Sequence, residues 1–162
     1  MRSESVSAGT VSFRPMTAES AERLGEALAL IDPWARYHYT SKMLSQFLSA
    51  KEEDAPRFEI VCDEALAGAI SVRKTWLRGP YLQFIGILPE FQKRGIGSVA
   101  LSWFEAGARQ DKARNIWVVA SDFNPGALAF YERFGFVPVA KLDGLVEDGA
   151  GEILFRKRLV TG

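Results

Sequence analysis

One cysteine, Cys62, and one histidine, His38, are all that the 162 residues contain of those two types. A single cysteine excludes an internal disulfide framework and fits a reducing compartment, so the expected location is cytoplasmic. One Cys and one His are too few soft ligands for a protein-bound zinc or haem, and no metal site is expected. Charge of one sign is not in excess either, since Lys+Arg and Asp+Glu both number 20. That balance supplies no field for bulk binding to nucleic acid or to a membrane surface. No apolar run approaches the ~20 residues of a membrane helix, so no membrane span is expected. Residues 1–10 are small and polar and lack the apolar segment of a signal peptide, so they read as a flexible tail. What is present is ordinary for a soluble globular chain: 48% apolar and 25% charged residues. Residues 11–162 are long enough to form a single domain with its own core.

Periodicity supplies the element order, and no internal repeat interrupts it. Val11 to Arg14 reads as a short strand stopped by Pro15. Thr17 can cap a helix on which Leu24, Ala27, Leu28 and Ile31 recur at helical spacing, ended by Asp32-Pro33. An aromatic cluster, Trp34, Tyr37, His38 and Tyr39, precedes a second helix bearing Met43, Leu44, Phe47 and Leu48. Three alternating runs follow, from Phe58, Ala67 and Tyr81, and read as an antiparallel meander. From Gly95 the period becomes helical. Ile116 to Ala120 is a buried strand, Asn124-Pro125 opens a short helix that Gly135 ends, and Phe136 and Ile153 begin two last strands. The expected fold class is α+β, with a mixed and mostly antiparallel central sheet flanked by about four helices.

The stretch with most chemical content is Gln92-Lys93-Arg94-Gly95-Ile96-Gly97-Ser98, between the third meander strand and the long helix. Two glycines let the backbone approach a ligand closely, basic side chains flank them, and the helix behind aims its first N–H groups at the loop. This is a phosphate-binding device. The same glycines satisfy the dinucleotide pattern G-x-G-x-x-A, but the context differs. Six residues, Pro89 to Arg94, separate strand from glycine, and the carboxylate that the pattern wants about twenty positions on, Asp122, lies in a loop after the next strand. The Walker pattern fails because no Gly-Lys-Ser/Thr is present.

Gln92-Lys93-Arg94-Gly95-Ile96-Gly97 resembles the pyrophosphate motif Gln/Arg-x-x-Gly-x-Gly/Ala of the GNAT superfamily of acyl-CoA N-acyltransferases. Asn124-Pro125-Gly126-Ala127 through Tyr131 to Gly135-Phe136 is similar to that family's next motif, Asn-x-x-Ala-x-x-x-Tyr…Gly-Phe. With the element order, the resemblance covers about residues 11–160. It implies a sheet splayed between the fourth and fifth strands counted from Val11. It implies acetyl-CoA as co-substrate, held by Gln92, Lys93, Arg94, Gly95, Ile96, Gly97 and Ser98 at the pyrophosphate. Main chain of Ile85, Gly86 and Ile87 would serve the pantetheine arm and the oxyanion, with Gly86 allowing a bulge. Asn124 would bind the pantetheine arm or orient Tyr131, whose hydroxyl would lie beside the thioester sulfur. The partner is an amine-bearing acceptor, and a homodimer is the assembly common in the family.

Transfer to an amine needs three things: removal of a proton from an alkylammonium of pKa about 10.4, a donor for the oxyanion and a proton for the thiolate. Tyr131 suits the last as general acid. The proton acceptor is not legible. The fourth strand contains no acid, and a water relay or one of His38, Tyr39, Asp32 and Glu90 stays open. The acceptor groove would be lined by 33–40 and by 141–151, with Asp143, Glu147 and Asp148. A non-catalytic acyl-CoA-binding or sensing module is the alternative from another class, since it would keep the loop without needing an acid at Tyr131.

Overall fold

The computed structural model describes residues 4–6 and 9–160, with the side chains of 4–6 excepted. In chain order the elements are β1 (Glu4–Val6), β2 (Gly9–Pro15), α1 (Ala18–Leu28), α2 (Ser41–Ser49), β3 (Arg57–Cys62), β4 (Ala65–Arg73) and β5 (Tyr81–Ile87). They continue with α3 (Ile96–Gln110), β6 (Asn115–Ser121), α4 (Pro125–Arg133), β7 (Val137–Asp143) and β8 (Gly151–Arg158). Eight strands form one sheet in the order β1-β2-β3-β4-β5-β6-β8-β7. Within the stretch expected as a tail, Glu4–Val6 pairs antiparallel with β2, while residues 1–3 and 7–8 lie outside the described residues. Because β1 precedes it, the strand expected as fourth is β5.

Helices α1 and α2 form where a side-chain cap meets an apolar face. The Thr17 hydroxyl accepts from the Ser20 N–H at 3.1 Å and Thr40 from the Met43 N–H at 3.1 Å, opening α1 and α2. Leu24 and Leu28 of α1 and Leu48 of α2 are fully buried against one sheet face with Phe84 and Leu88. Burying one such side chain stabilises by about 1.5–3 kcal/mol. Helix α1 stops at Leu28, before the Asp32-Pro33 expected to end it, and turns continue to His38. The opposite face carries the larger core, in which Ile96, Ala100, Leu101 and Phe104 of α3 and Tyr131 of α4 pack on Ile60, Ile70, Ile116, Val118 and Phe155.

Neighbouring strands pair antiparallel with one exception. Strands β5 and β6 run parallel and pair only at Tyr81–Trp117 and Leu82–Val118. Beyond those two positions they part, and a wedge opens toward their C-terminal ends. A register shift opposite Gln83, between Ser71 and Val72 of β4, marks where β5 turns away. The bulge is therefore at Gln83 and not at Gly86. Gly86 answers a different need, because a Cβ there would lie 2.9 Å from the Trp34 ring and 3.1 Å from Leu28.

Candidate active site

The wedge between β5 and β6 is bordered by backbone that the sheet does not use. The Leu88 N–H donates to the Ala67 carbonyl on β4 at 2.8 Å. Alternation along β5 then turns the main-chain groups of Ile85 and Ile87 to the wedge and those of Gly86 to β4. The Ile87 carbonyl is occupied, since it accepts from the Gln92 side chain at 3.0 Å. Gln92 thus ties the phosphate loop to the end of β5, a structural use that the motif did not reveal.

At the wedge mouth a short 3₁₀ turn, Pro89–Phe91, leads to the glycine loop. Lys93 has φ 62° and Gly95 φ 83°, both left-handed, and Gly95 is the N-cap of α3. Helices α1, α2 and α4 are each capped by a side chain, but α3 has none. Its first-turn N–H groups have no helical acceptor, and the positive end of its dipole faces the same place. Lys93, Arg94, Gly95 and Ser98 are exposed around them, and the Arg94 guanidinium lies 5.1 Å from the Phe91 ring centre. Ile96 is buried core. Gly97 does not look outward to the loop as its motif position suggested. A Cβ there would meet the Phe130 ring at 3.2 Å, so its missing side chain first lets α3 and α4 pack closely.

Asn124 caps α4, its Oδ1 accepting from the Ala127 N–H at 3.1 Å with Pro125 next. Seven positions on, Tyr131 is 5% exposed among Phe130, Phe136 and Phe155. Its hydroxyl makes no hydrogen bond among the described residues. Among the described residues no buried side-chain oxygen lacks a partner, so that hydroxyl touches open space. Burial, then the nearby Tyr81 phenol, raises the Tyr131 pKa above its ordinary value.

On the other face of the sheet stands a group that the sequence reading missed. Two carboxylates are buried among the described residues, Glu59 and Glu152. Glu59 is occupied at the N-terminus of α1, accepting from Thr17. Glu152 pairs in register with Ser121, the last residue of β6, at the wide end of the wedge. Its Oε2 accepts from the Tyr37 hydroxyl at 2.5 Å. Its Oε1 carries no hydrogen bond among the described residues and by the same reasoning meets open space. Tyr37 is held edge-on to Phe123 at 5.3 Å, and Arg36 stacks on the same ring at 4.1 Å. The 29–40 loop is thereby docked on the loop after β6. Burial and the bond to Glu152 push the Tyr37 pKa up to about 12. The Tyr81 pKa is raised by burial and by Glu152. Tyr81 therefore lies within electrostatic reach of both Glu152 and Tyr131. A glutamate in an alternating strand gives no signal of this role, because only the fold brings β8 beside β6.

His38, Asp32 and Glu90 are exposed, and Tyr39 packs on the α1–α2 core. Of the acceptor-side acids, Asp143 belongs to β7, which runs further than expected, and pairs with Lys141 at 3.8 Å. Glu147 and Asp148 are exposed in the 144–150 loop. A cleft of about 790 Å³ lies elsewhere, between the C-terminal half of α3 and β2–β4, lined by Phe13, Phe58, Trp103 and Lys74 among others. It contains none of the residues named for the acyl donor.

An uncapped helix behind a glycine loop at the mouth of a wedge between parallel strands is the arrangement that the resemblance implied. Residues 19–136 match the acetyltransferase (GNAT) family. The chain belongs to that family. It is thus an acetyl-CoA-dependent N-acyltransferase. Among solved structures it is similar to an acetyltransferase from Thermus thermophilus, 22% identical over 92% of this chain and 97% of that one, with TM-score 0.74. The ribosomal-protein-S18-alanine N-acetyltransferase from Escherichia coli is 15% identical over 94% and 96%, with TM-score 0.73. A GNAT family acetyltransferase from Elizabethkingia anophelis with acetyl-CoA bound is 17% identical over 92% and 98%, with TM-score 0.67. At these identities the likeness is one of fold. Among curated proteins, none matches. No helix among the described residues is long and apolar enough to cross a membrane.

Proposed function

We propose that residues 11–162 act as one domain that transfers an acetyl group from acetyl-CoA to a primary amine by direct attack on the thioester. The observation that carries this reading is the wedge itself. Strands β5 and β6 are paired at two positions only, and the side-chain-free N-terminus of α3 sits at the open end. Backbone N–H groups of residues 95–98 would hold the pyrophosphate, with Lys93, Arg94 and Ser98 adding charge-assisted bonds. Ile87 and Ile85, whose main chain faces the wedge, would hold the pantetheine arm and offer an N–H to the developing oxyanion. Gly86, turned to β4, contributes by letting Trp34 close over this strand.

Tyr131 is the general acid in this reading. Its raised pKa keeps the phenol protonated, and it gives that proton as the carbon–sulfur bond breaks. Asn124 serves by fixing the start of the helix that carries Tyr131. Substrates reach the acceptor side between the 29–40 loop and the end of β6. The test is a panel of primary amines with acetyl-CoA, reading released thiol and acetylated product. Product with at least one amine is expected. Tight acetyl-CoA binding with no product from any amine would replace the enzyme with a binding module.

A further inference from the structure

We infer that Glu152 is the proton acceptor for the attacking amine, and that the acceptor is an alkylammonium received between Tyr37 and the end of β6; this rests on the amine acetylation proposed above. Three observations carry it. Glu152 is one of two buried carboxylates among the described residues, and the other is occupied at α1. Its register partner is Ser121, the last residue of β6, so it stands one strand beyond β6 and level with the wide end of the wedge. One oxygen is fixed by Tyr37 while the other is unbonded and meets open space. A carboxylate held by one oxygen and open at the other is oriented to accept a proton.

The groups around it favour a cation. Asp122 follows Ser121 and adds negative charge, partly offset by Lys141 at 3.6 Å. Arg156, four residues along the same face of β8, is engaged by the Asn115 side chain at 2.7 Å and leans over Trp117. Tyr37 and Tyr81, the titratable groups from the 29–40 loop and β5, have raised pKa values and stay neutral at physiological pH. Among the described residues no Lys or Arg forms an ion pair with Glu152, and Arg36 of the 29–40 loop stacks on the Phe123 ring.

The proton balance closes. One N–H bond of the ammonium breaks and an O–H bond forms on Glu152, which passes that proton to solvent. The free amine forms a C–N bond to the thioester carbonyl carbon. The C–S bond breaks with its electron pair on sulfur, and Tyr131 protonates it. The second proton lost by nitrogen restores Tyr131 through solvent. The products are the amide, the free thiol and one proton in water. No oxidant or further reactant is needed.

The experiment compares a primary alkylamine that the wild type acetylates with aniline, which is already neutral at pH 7. In Glu152→Gln, kcat/KM for the alkylamine should fall by about 10²–10⁴-fold, and aniline should lose less than tenfold. The residual alkylamine rate should climb with pH toward the amine's own pKa of about 10.4, where the wild-type rate has already levelled. Tyr37→Phe, which leaves the Glu152 carboxylate in place but frees its Oε2, should lower the alkylamine more than aniline, by less than Glu152→Gln does. Should Glu152→Gln fail to fold, Glu152→Asp carries the test, because the shorter carboxylate must lose the alkylamine selectively. Equal losses for both amines in Glu152→Gln, matched by Tyr37→Phe, would overturn the assignment and leave Glu152 a prop for Tyr37. A wild type that acetylates no amine at all would overturn the proposed reaction, and this inference with it.

Discussion

A single hydroxyl separates chemistry from packing at Tyr131. The ring is enclosed by Phe130, Phe136 and Phe155, and Tyr131→Phe leaves that enclosure intact. The variant should keep its thermal midpoint and its affinity for acetyl-CoA while kcat drops by about 10²–10⁴-fold. The pH dependence follows from the direction of the pKa. Burial, then Tyr81, raises it above the ordinary tyrosine value of about 10. A raised value favours the protonated form, so the donor is present throughout the neutral range and its loss lies on the alkaline side. The ratio of wild-type to Tyr131→Phe rates should therefore be constant from pH 7 to about pH 9.5. A ratio that collapses within that window would remove Tyr131 as the acid. The neighbouring glycine teaches the reverse. Gly97 carries a motif position, yet its Cβ direction is filled by Phe130, so a Gly97→Val defect would mix helix packing with ligand binding.

Helix α3 differs from the other α-helices in what begins it, and so does its expected behaviour. Thr17, Thr40 and Asn124 satisfy the starts of α1, α2 and α4, whereas Gly95 leaves the start of α3 without a side-chain cap. Acetyl-CoA affinity should fall with added salt more steeply than affinity for a pantetheine thioester lacking the nucleotide, since Lys93 and Arg94 are exposed and screened. Equal slopes in calorimetric titrations would place these cations away from the phosphates. Helix α4 offers the complementary test. Asn124→Ala removes the bond to the Ala127 N–H and should cost about 1 kcal/mol of stability. Because Tyr131 rides on this helix, kcat should fall with it, and Asn124→Ser, which restores a cap, should recover both. These elements were legible in the sequence because their signals are local. A cap, a glycine pair and a 3.6-residue period each lie within a few positions of what they determine. The bulge was not, because Gln83 carries no residue signature and the shift exists only against β4.

Across the whole molecule, what the sequence hid is what long-range pairing creates. Glu152 meets Ser121, and Tyr37 reaches Glu152, only once β8 has inserted between β6 and β7. The element order needed periodicity alone, whereas the proton acceptor needed the sheet order. The same dependence governs stability at the opposite end of the sheet. Glu105 of α3 accepts from the Lys157 ammonium of β8 at 2.5 Å and from Arg109 at 3.0 Å, and Lys157 also donates to the Phe134 carbonyl at the end of α4. The Glu105–Lys157 pair thus joins α3, α4 and β8. Burial alone would raise the Glu105 pKa, but the bonds from Lys157 and Arg109 outweigh it and hold the carboxyl below the usual range. A lowered folded-state value means that the folded protein releases this proton more readily than the unfolded chain. The stability it contributes is complete above the unfolded value of about 4.3 and is lost as pH falls through the lower folded one. Glu105→Gln should therefore cost about 1 kcal/mol at pH 7, the scale of a well-formed and partly exposed ion pair. That difference should shrink as pH drops below about 4, because the wild type then loses the same charge. Urea unfolding of both proteins at pH 7 and pH 3 measures it, and a difference that is undiminished at pH 3 would show that the glutamate acts through shape rather than charge.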